Sequence, residues 1–239
     1  SFRSFFLKNR TDLIKEFKWQ TLEKFLKGFS TIFMSFLIAR ISGPEDFGKY
    51  SYAIALTNIF IVVSDLGVHN LIVAQISKYT KNREKIISSF FKLRVFSSLI
   101  VFLIFIIYMF LNFKEGLLLS ICIASSFLDV FEFYNQGKLR IVYNSRSKSF
   151  VYLLGLILKI ITIFYFKNYK LILFIYSVEF LFSYLLIYKY SHLNIKKLFT
   201  EKIEIKYLRS IFKKCISLFA ASIFTILVDR LDILIIQNK

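Results

Sequence analysis

Residues 95–113 read VFSSLIVFLIFIIYMFLNF, nineteen consecutive positions without a charged side chain. A helix needs roughly 17–25 predominantly apolar residues to cross a hydrocarbon core about 30 Å thick, and this run is long enough. Six more runs of comparable character flank it: Trp19–Ile41, Tyr50–Val73, Leu117–Tyr134, Phe150–Phe166, Leu171–Tyr188 and Cys215–Ile236. Seven such runs in 239 residues leave too little polar sequence to cover them in water, so the chain is expected to be an all-α integral membrane protein. Composition agrees, with 56% hydrophobic side chains, 30 Phe and a single Pro. A soluble single-domain enzyme is thereby excluded. Two cysteines, Cys122 and Cys215, build no disulfide framework, and no Cys/His cluster has the spacing that zinc or redox chemistry requires.

The formal net charge of +18 would suggest nucleic acid in a soluble protein, but here the positions of the charges decide. Of the 33 Lys and Arg residues, twenty-five fall before or just inside the first run, between the second and third, between the fourth and fifth, and between the sixth and seventh. The alternate connections hold five: Arg40, Lys49, Lys114, Lys167 and Lys170. Basic residues accumulate in cytoplasmic loops, so this split predicts a multi-pass protein of the cell inner membrane with a cytoplasmic N-terminus. The net charge then reflects topology and attraction to anionic membrane lipids, and no nucleic-acid partner is expected.

Residues 1–18 place Phe2, Phe5, Phe6, Leu13 and Phe17 among basic residues, which suits either a cytoplasmic amphipathic segment on the inner leaflet or an ordinary juxtamembrane tail. Residues 19–190 are then a first six-helix transmembrane bundle and residues 191–214 a basic cytoplasmic linker. Residues 215–239 start a second bundle. The chain opens on Ser1 and its last apolar run stops at Gln237-Asn238-Lys239, so it reads as a piece of a longer protein.

Ionisable groups at membrane depth cost at least about 2.5–3.5 kcal/mol each on insertion scales, so each is a candidate for function. Lys159 is the tenth residue of the fifth run and Glu179 the ninth of the sixth, both near the expected midplane, where they could pair across adjacent antiparallel helices. Asp65 falls about two-thirds through the second run. Asp129 and Glu132 share one helical face near the end of the fourth, and Asp229 and Asp232 repeat that spacing around Arg230 in the seventh. Carboxylates at this depth can bind Na⁺ or exchange a proton, and an Arg or Lys can hold a phosphate. For any one residue a structural ion pair is an equal alternative; taken together they suggest a hydrated central pathway. An enzyme is not expected, because the external connections are too short for a catalytic loop and neither His69 nor His192 has a carboxylate at catalytic spacing.

The stretch Leu37–Ala53, LIARISGPEDFGKYSYA, closely resembles the end of the first span, the tight turn and the start of the second span in the polysaccharide transporter (O-antigen flippase) family. The run ending Ser64-Asp65-Leu66-Gly67 looks like that family's second span, and Asp229–Ile236 is similar to its seventh. The resemblance implies a two-bundle fold like that of the multidrug and toxic-compound extrusion (MATE) exporters of the same superfamily. It also implies export of a polyprenyl-diphosphate-linked oligosaccharide from inner to outer leaflet by ion-coupled alternating access, for O-antigen, capsule or exopolysaccharide synthesis. On that implication Arg40, Lys159 and Arg230 would hold the substrate diphosphate, and Asp65, Asp129, Glu179, Asp229 and Asp232 would be ion-coupling candidates. Gly43, Pro44 and Gly48 would form the structural turn. No cofactor beyond a coupling Na⁺ or H⁺ is implied, and a polysaccharide polymerase and glycosyltransferases would be working partners. A multidrug exporter of the same superfamily and a membrane polymerase or glycosyltransferase are the rival functions.

The charge split predicts that single cysteines at Ser42, Asn112 and Asn168 react with a membrane-impermeant thiol reagent in intact cells, whereas cysteines at Asn82 and Asn194 do not. Strong labelling at Asn82, or none at Ser42, contradicts the orientation.

Overall fold

The computed structural model describes residues 2–79, 83–201 and Cys215, with side chains from position 14 onward. Among them, helices α1 (Phe2–Ile41), α2 (Pro44–Asp65), α3 (Val68–Lys78) and α4 (Arg83–Asn112) make up the first half. They are followed by α5 (Ser120–Ser125), α6 (Asp129–Gly137), α7 (Ile141–Phe166), α8 (Tyr169–Ser191) and α9 (Ile195–Thr200). Short 3-10 segments, Lys114–Leu119 and Ser126–Leu128, join α5 to its neighbours, so residues 114–137 form one helical rod. The described residues contain no strand. Among the described residues five segments are long and apolar enough to cross a membrane: Pro44–Asp65, Arg83–Asn112, Lys114–Gly137, Ile141–Phe166 and Tyr169–Ser191.

The structure revises several boundaries. α1 is unbroken over 40 residues, about 60 Å of helix, so residues 2–18 are its N-terminal half rather than a separate segment. Its apolar end is not among the five spans, because Lys24, Lys27 and Arg40 charge it. The second expected span, drawn to Val73, stops at Asp65. Leu66 and Gly67 both adopt left-handed backbone, φ 52° and 72°, which an α-helix cannot pass through, and α3 resumes on a new axis. Asp65 is therefore a helix-terminal residue and not a mid-span one. The 191–214 linker is docked where it begins: Ser88 donates to the Leu198 carbonyl at 2.6 Å and Lys92 to that of Glu201 at 2.6 Å. Beside them the Lys197 ammonium bonds Glu84 at 2.5 Å, and this carboxylate holds the lysine above its ordinary pKa. The seventh span beyond Cys215 lies outside the described residues, as do Asp229, Arg230 and Asp232.

The turn between α1 and α2 follows from its residues. Gly43 has φ 97°, a region that glycine occupies without steric cost, and Pro44 opens α2, where its missing N–H is no loss. Glu45 and Asp46 then sit in the first helical turn, where negative charge complements the helix dipole. Gly48, expected in the turn, lies instead within α2 facing open space.

Packing separates into two apolar clusters. One, at the end of the bundle carrying Gly43, joins Ile38, Tyr50, Phe105, Met109, Ile123 and Ile172. The other, at the end carrying Lys138, joins Ile72, Ile76, Phe90, Phe91, Phe131 and Ile187. Four helical rods also turn polar side chains inward: Ser64; Arg94, Ser97 and Ser98; Ser125, Ser126 and Asp129; Ser177, Glu179 and Ser183. α3 lies tightly against α6, and a Cβ at Gly137 would meet Ile76 Cβ at 2.7 Å and the Val73 carbonyl oxygen at 3.2 Å.

Gly137→Ala is expected to destabilise the protein by about 1–3 kcal/mol through overpacking, since a backbone oxygen cannot swing aside. Gly48→Ala is expected to be neutral or stabilising by about 0.5–1 kcal/mol, because it adds a helix former in open space. Thermal unfolding of the purified variants checks both.

Candidate functional site

Arg94 is the largest fully buried side chain among the described residues, and it lies between the end of α2 and the 3-10 segment Ser126–Leu128. Its Nε donates to Asp129 Oδ1 at 3.1 Å and its Nη2 pairs with Asp129 Oδ2. Nη1 donates to Ser64 Oγ at 3.1 Å, and Nη2 also reaches the Ser126 carbonyl at 3.0 Å. Ser97, one turn further along α4, donates to the Ser64 carbonyl at 2.7 Å. Ser64 lies in the last turn of α2, and Ser126 opens the 3-10 segment before α6. A helix end leaves carbonyls without their usual intrahelical donors, and Ser97 supplies one to Ser64, while the Ser126 carbonyl, which already accepts from the Asp129 N–H, takes a second bond from Arg94. Asp65 adjoins this group, with its Oδ1 buried and unpartnered and its charge acting on both Arg94 and Asp129.

Two further ion pairs cross the bundle. Lys148 Nζ lies 2.6 Å from Glu132 Oε1 and 3.9 Å from Glu23, tying α7 to α6 and α1. Lys159 pairs with Glu179 between α7 and α8, about 10 and 15 Å from the helix ends beyond them, so both sit well inside the hydrocarbon. Lys159 Nζ also lies 5.6 Å from the Tyr176 ring centroid, within reach of its π face. Gly155 makes this pair possible, because a Cβ there would stand 1.4 Å from Glu179 Oε1. That oxygen has no hydrogen-bond partner.

The sequence-level candidates therefore separate. Lys159 and Glu179 meet as their depths suggested. Asp129 and Glu132, although three residues apart on one face, take different cations. Arg40 is exposed in the last turn of α1, and among the described residues no hydrogen bond or ion pair joins it to Lys159. Instead of a continuous charged pathway, the described residues show discrete pairs. Arg94 and Lys148, counted from sequence as loop cations, are interior residues of α4 and α7. The periodicity carried the signal for Arg94: the buried stripe Phe105, Val101, Ser98, Ser97 extends back to Arg94, Phe91, Phe90 and Ile87 at helical spacing.

Chemically, the arrangement offers carboxylates and cations in a low-dielectric interior. Among the described residues no group of three His, Cys, Asp or Glu could hold a metal ion. His69 stacks on Phe133 at 4.3 Å and shares a 3.1 Å hydrogen bond with Gln136, a packing role. The profile of the polysaccharide biosynthesis protein family matches residues 13–238. The chain belongs to that family. The family includes O-antigen flippases, in line with the resemblance carried by Leu37–Ala53. No curated protein and no solved structure gives a significant match to the chain. Family membership and five spanning helices make it a multi-pass membrane protein of polysaccharide biosynthesis.

Removing one partner of a buried pair leaves an uncompensated charge, whereas replacing both with apolar groups removes the problem. Lys159→Met and Glu179→Leu alone are each expected to lose about 3–5 kcal/mol, and the double variant to recover most of it. Gly155→Ala should behave like the single variants, by displacing Glu179. Folded yield in detergent reads all four; a double variant no better than the worse single contradicts the pairing.

Proposed function

We propose that the chain is part of a flippase that moves a polyprenyl-diphosphate-linked oligosaccharide across the cell inner membrane for O-antigen, capsule or exopolysaccharide synthesis. The observation that carries this reading is the family match over residues 13–238, on a chain whose spanning helices carry charged groups in the bundle interior. A lipid-linked sugar diphosphate cannot cross a bilayer unaided, since its phosphates and hydroxyls would be desolvated, and a protein that carries it must offer polar groups at membrane depth. No covalent step is required, so the chain is read as a transporter and not an enzyme. Its described connections at the Gly43 end are only Ser42-Gly43, Phe113 and Lys167-Asn168.

In this reading the basic ends of the helices are cytoplasmic, the N-terminus with them, and the described helices are the first bundle of a two-bundle MATE-like transporter. Alternating access then opens the bundles to one leaflet at a time. Arg40 and Arg230 are the proposed diphosphate ligands; Lys159 can serve only if it leaves Glu179. For ion coupling Asp65 is favoured, because its Oδ1 is buried without a partner whereas Asp129 and Glu179 each hold a cation. Asp229 and Asp232 complete the set. Either Na⁺ or H⁺ satisfies such a carboxylate. A lipid-linked oligosaccharide is the substrate, and the polymerase and glycosyltransferases that consume and make it are the functional partners.

Deleting the gene, in cells with no related gene, is expected to abolish surface polysaccharide and to accumulate lipid-linked oligosaccharide in the inner leaflet. Asp65→Asn in the full-length protein should leave insertion intact and change the dependence of export on Na⁺ or pH. Normal surface polysaccharide in the deletion contradicts the flippase reading and favours drug export.

A further inference from the structure

Arg94 is one cation facing two carboxylates. Asp129 holds it at two points, with Nε donating to Oδ1 at 3.1 Å and Nη2 paired with Oδ2. The remaining nitrogen, Nη1, is turned to the Ser64 hydroxyl at 3.1 Å, and Ser64 is the chain neighbour of Asp65. Among the described residues no ion pair reaches Asp65, and its Oδ1 is buried without a hydrogen-bond partner, yet its charge acts on both members of the Arg94–Asp129 pair. Asp65 is also the last residue of α2, where the helix dipole disfavours negative charge, and the left-handed Leu66 and Gly67 follow it. The other charged or titratable groups that act on this cluster are Glu132 of α6, itself held by Lys148, Tyr184 of α8 and the buried thiol of Cys215. None of the three brings a cation.

The cluster therefore sets one positive charge against two negative ones at membrane depth, where an unpaired carboxylate is costly. Two events can relieve Asp65: a small cation binding it, or Arg94 turning to it from Asp129. The two exclude each other, because a carboxylate oxygen that accepts from the guanidinium is no longer open to an ion. Whatever holds Arg94 on Asp129 thus decides whether Asp65 can take one. We propose that Asp129 is a positioning residue acting through Arg94: its two-point grip keeps Asp65 open to the coupling ion, and Asp65 is the second counter-ion to which Arg94 turns when that grip is lost. The inference rests on the reading of Asp65 as the ion-coupling carboxylate and names what regulates that site. Breaking the pair on the Asp129 side is accordingly expected to cost far less than breaking Lys159–Glu179.

The test uses the full-length protein purified in detergent, as wild type, Asp65→Asn, Asp129→Asn and the double variant. Folded yield is read for all four, and the thermal midpoint is followed as Na⁺ replaces K⁺ and as the pH is lowered. Each single variant is expected to fold, because Arg94 keeps one carboxylate, and the double to be lost to aggregation, because a buried guanidinium is left alone. The wild-type midpoint is expected to respond to Na⁺ or to H⁺ more than that of Asp65→Asn does, the difference being the ion held at Asp65. In Asp129→Asn that difference should need about tenfold more ion, since Arg94 resting on Asp65 for about nine-tenths of the time leaves only about a tenth of the molecules competent. A merely structural Asp129 would leave the ion requirement unchanged, and that result overturns the positioning role. Asp129→Asn failing to fold as the double does, or the double folding as the singles do, overturns the shared counter-ion. A wild-type midpoint no more responsive than that of Asp65→Asn overturns the ion-coupling reading and the proposal with it, a failure told apart because it is already visible without any change at Asp129.

Discussion

The bundle depends on one buried guanidinium. α2 ends before the left-handed pair Leu66-Gly67, and beside that end the 114–137 rod passes through the 3-10 segment Ser126–Leu128. Arg94 ties the two together with the fixed fork of one side chain, reaching the Ser64 hydroxyl, the Ser126 carbonyl and Asp129, while Asp129 neutralises the charge this introduces. A lysine could not do this, since a single ammonium cannot present donors in three directions along one plane. Ser97 donates to the Ser64 carbonyl left at the end of α2. Past the end of α2, α3 packs on α6, and the polar side chains around Arg94 lie between the two apolar clusters.

Much of this architecture is legible in the sequence, and the parts that are not share a physical cause. Length and apolar content alone located the cores of the five spanning helices, because a bilayer imposes both. The Gly43-Pro44 turn was equally readable, since few residues tolerate φ 97° or open a helix so cheaply. Counting charges worked for Lys159 and Glu179, which lie deep within uninterrupted apolar runs. It failed for Arg94 and Lys148, which border such runs: a basic residue at the edge of an apolar stretch looks like a loop anchor unless the helical period is followed past it. The break after Asp65 was hidden because Leu66, which takes φ 52° beside Gly67, is an ordinary helix former. The role of Gly155 was invisible as well, since only the approach of Glu179 from another helix reveals it.

Three buried ion pairs among the described residues also constrain how the protein can move. Each joins different elements: Arg94–Asp129 links α4 to α6, Lys148–Glu132 links α7 to α6 with Glu23 of α1 nearby, and Lys159–Glu179 links α7 to α8. Pairs buried this way are costly to break singly, so the described helices are braced against one another.

The most direct measurement is transbilayer movement itself. The full-length protein is reconstituted into vesicles containing a fluorescent short-chain saccharide on polyprenyl diphosphate, and a membrane-impermeant quencher reports how much lies in the outer leaflet. The account predicts that label introduced in one leaflet reaches the other at a rate proportional to the amount of protein, and no faster than in protein-free vesicles when Arg40 and Arg230 are both replaced by Gln in a folded variant. Movement indistinguishable from protein-free vesicles for the folded wild-type protein, under both Na⁺ and H⁺ gradients, would contradict it.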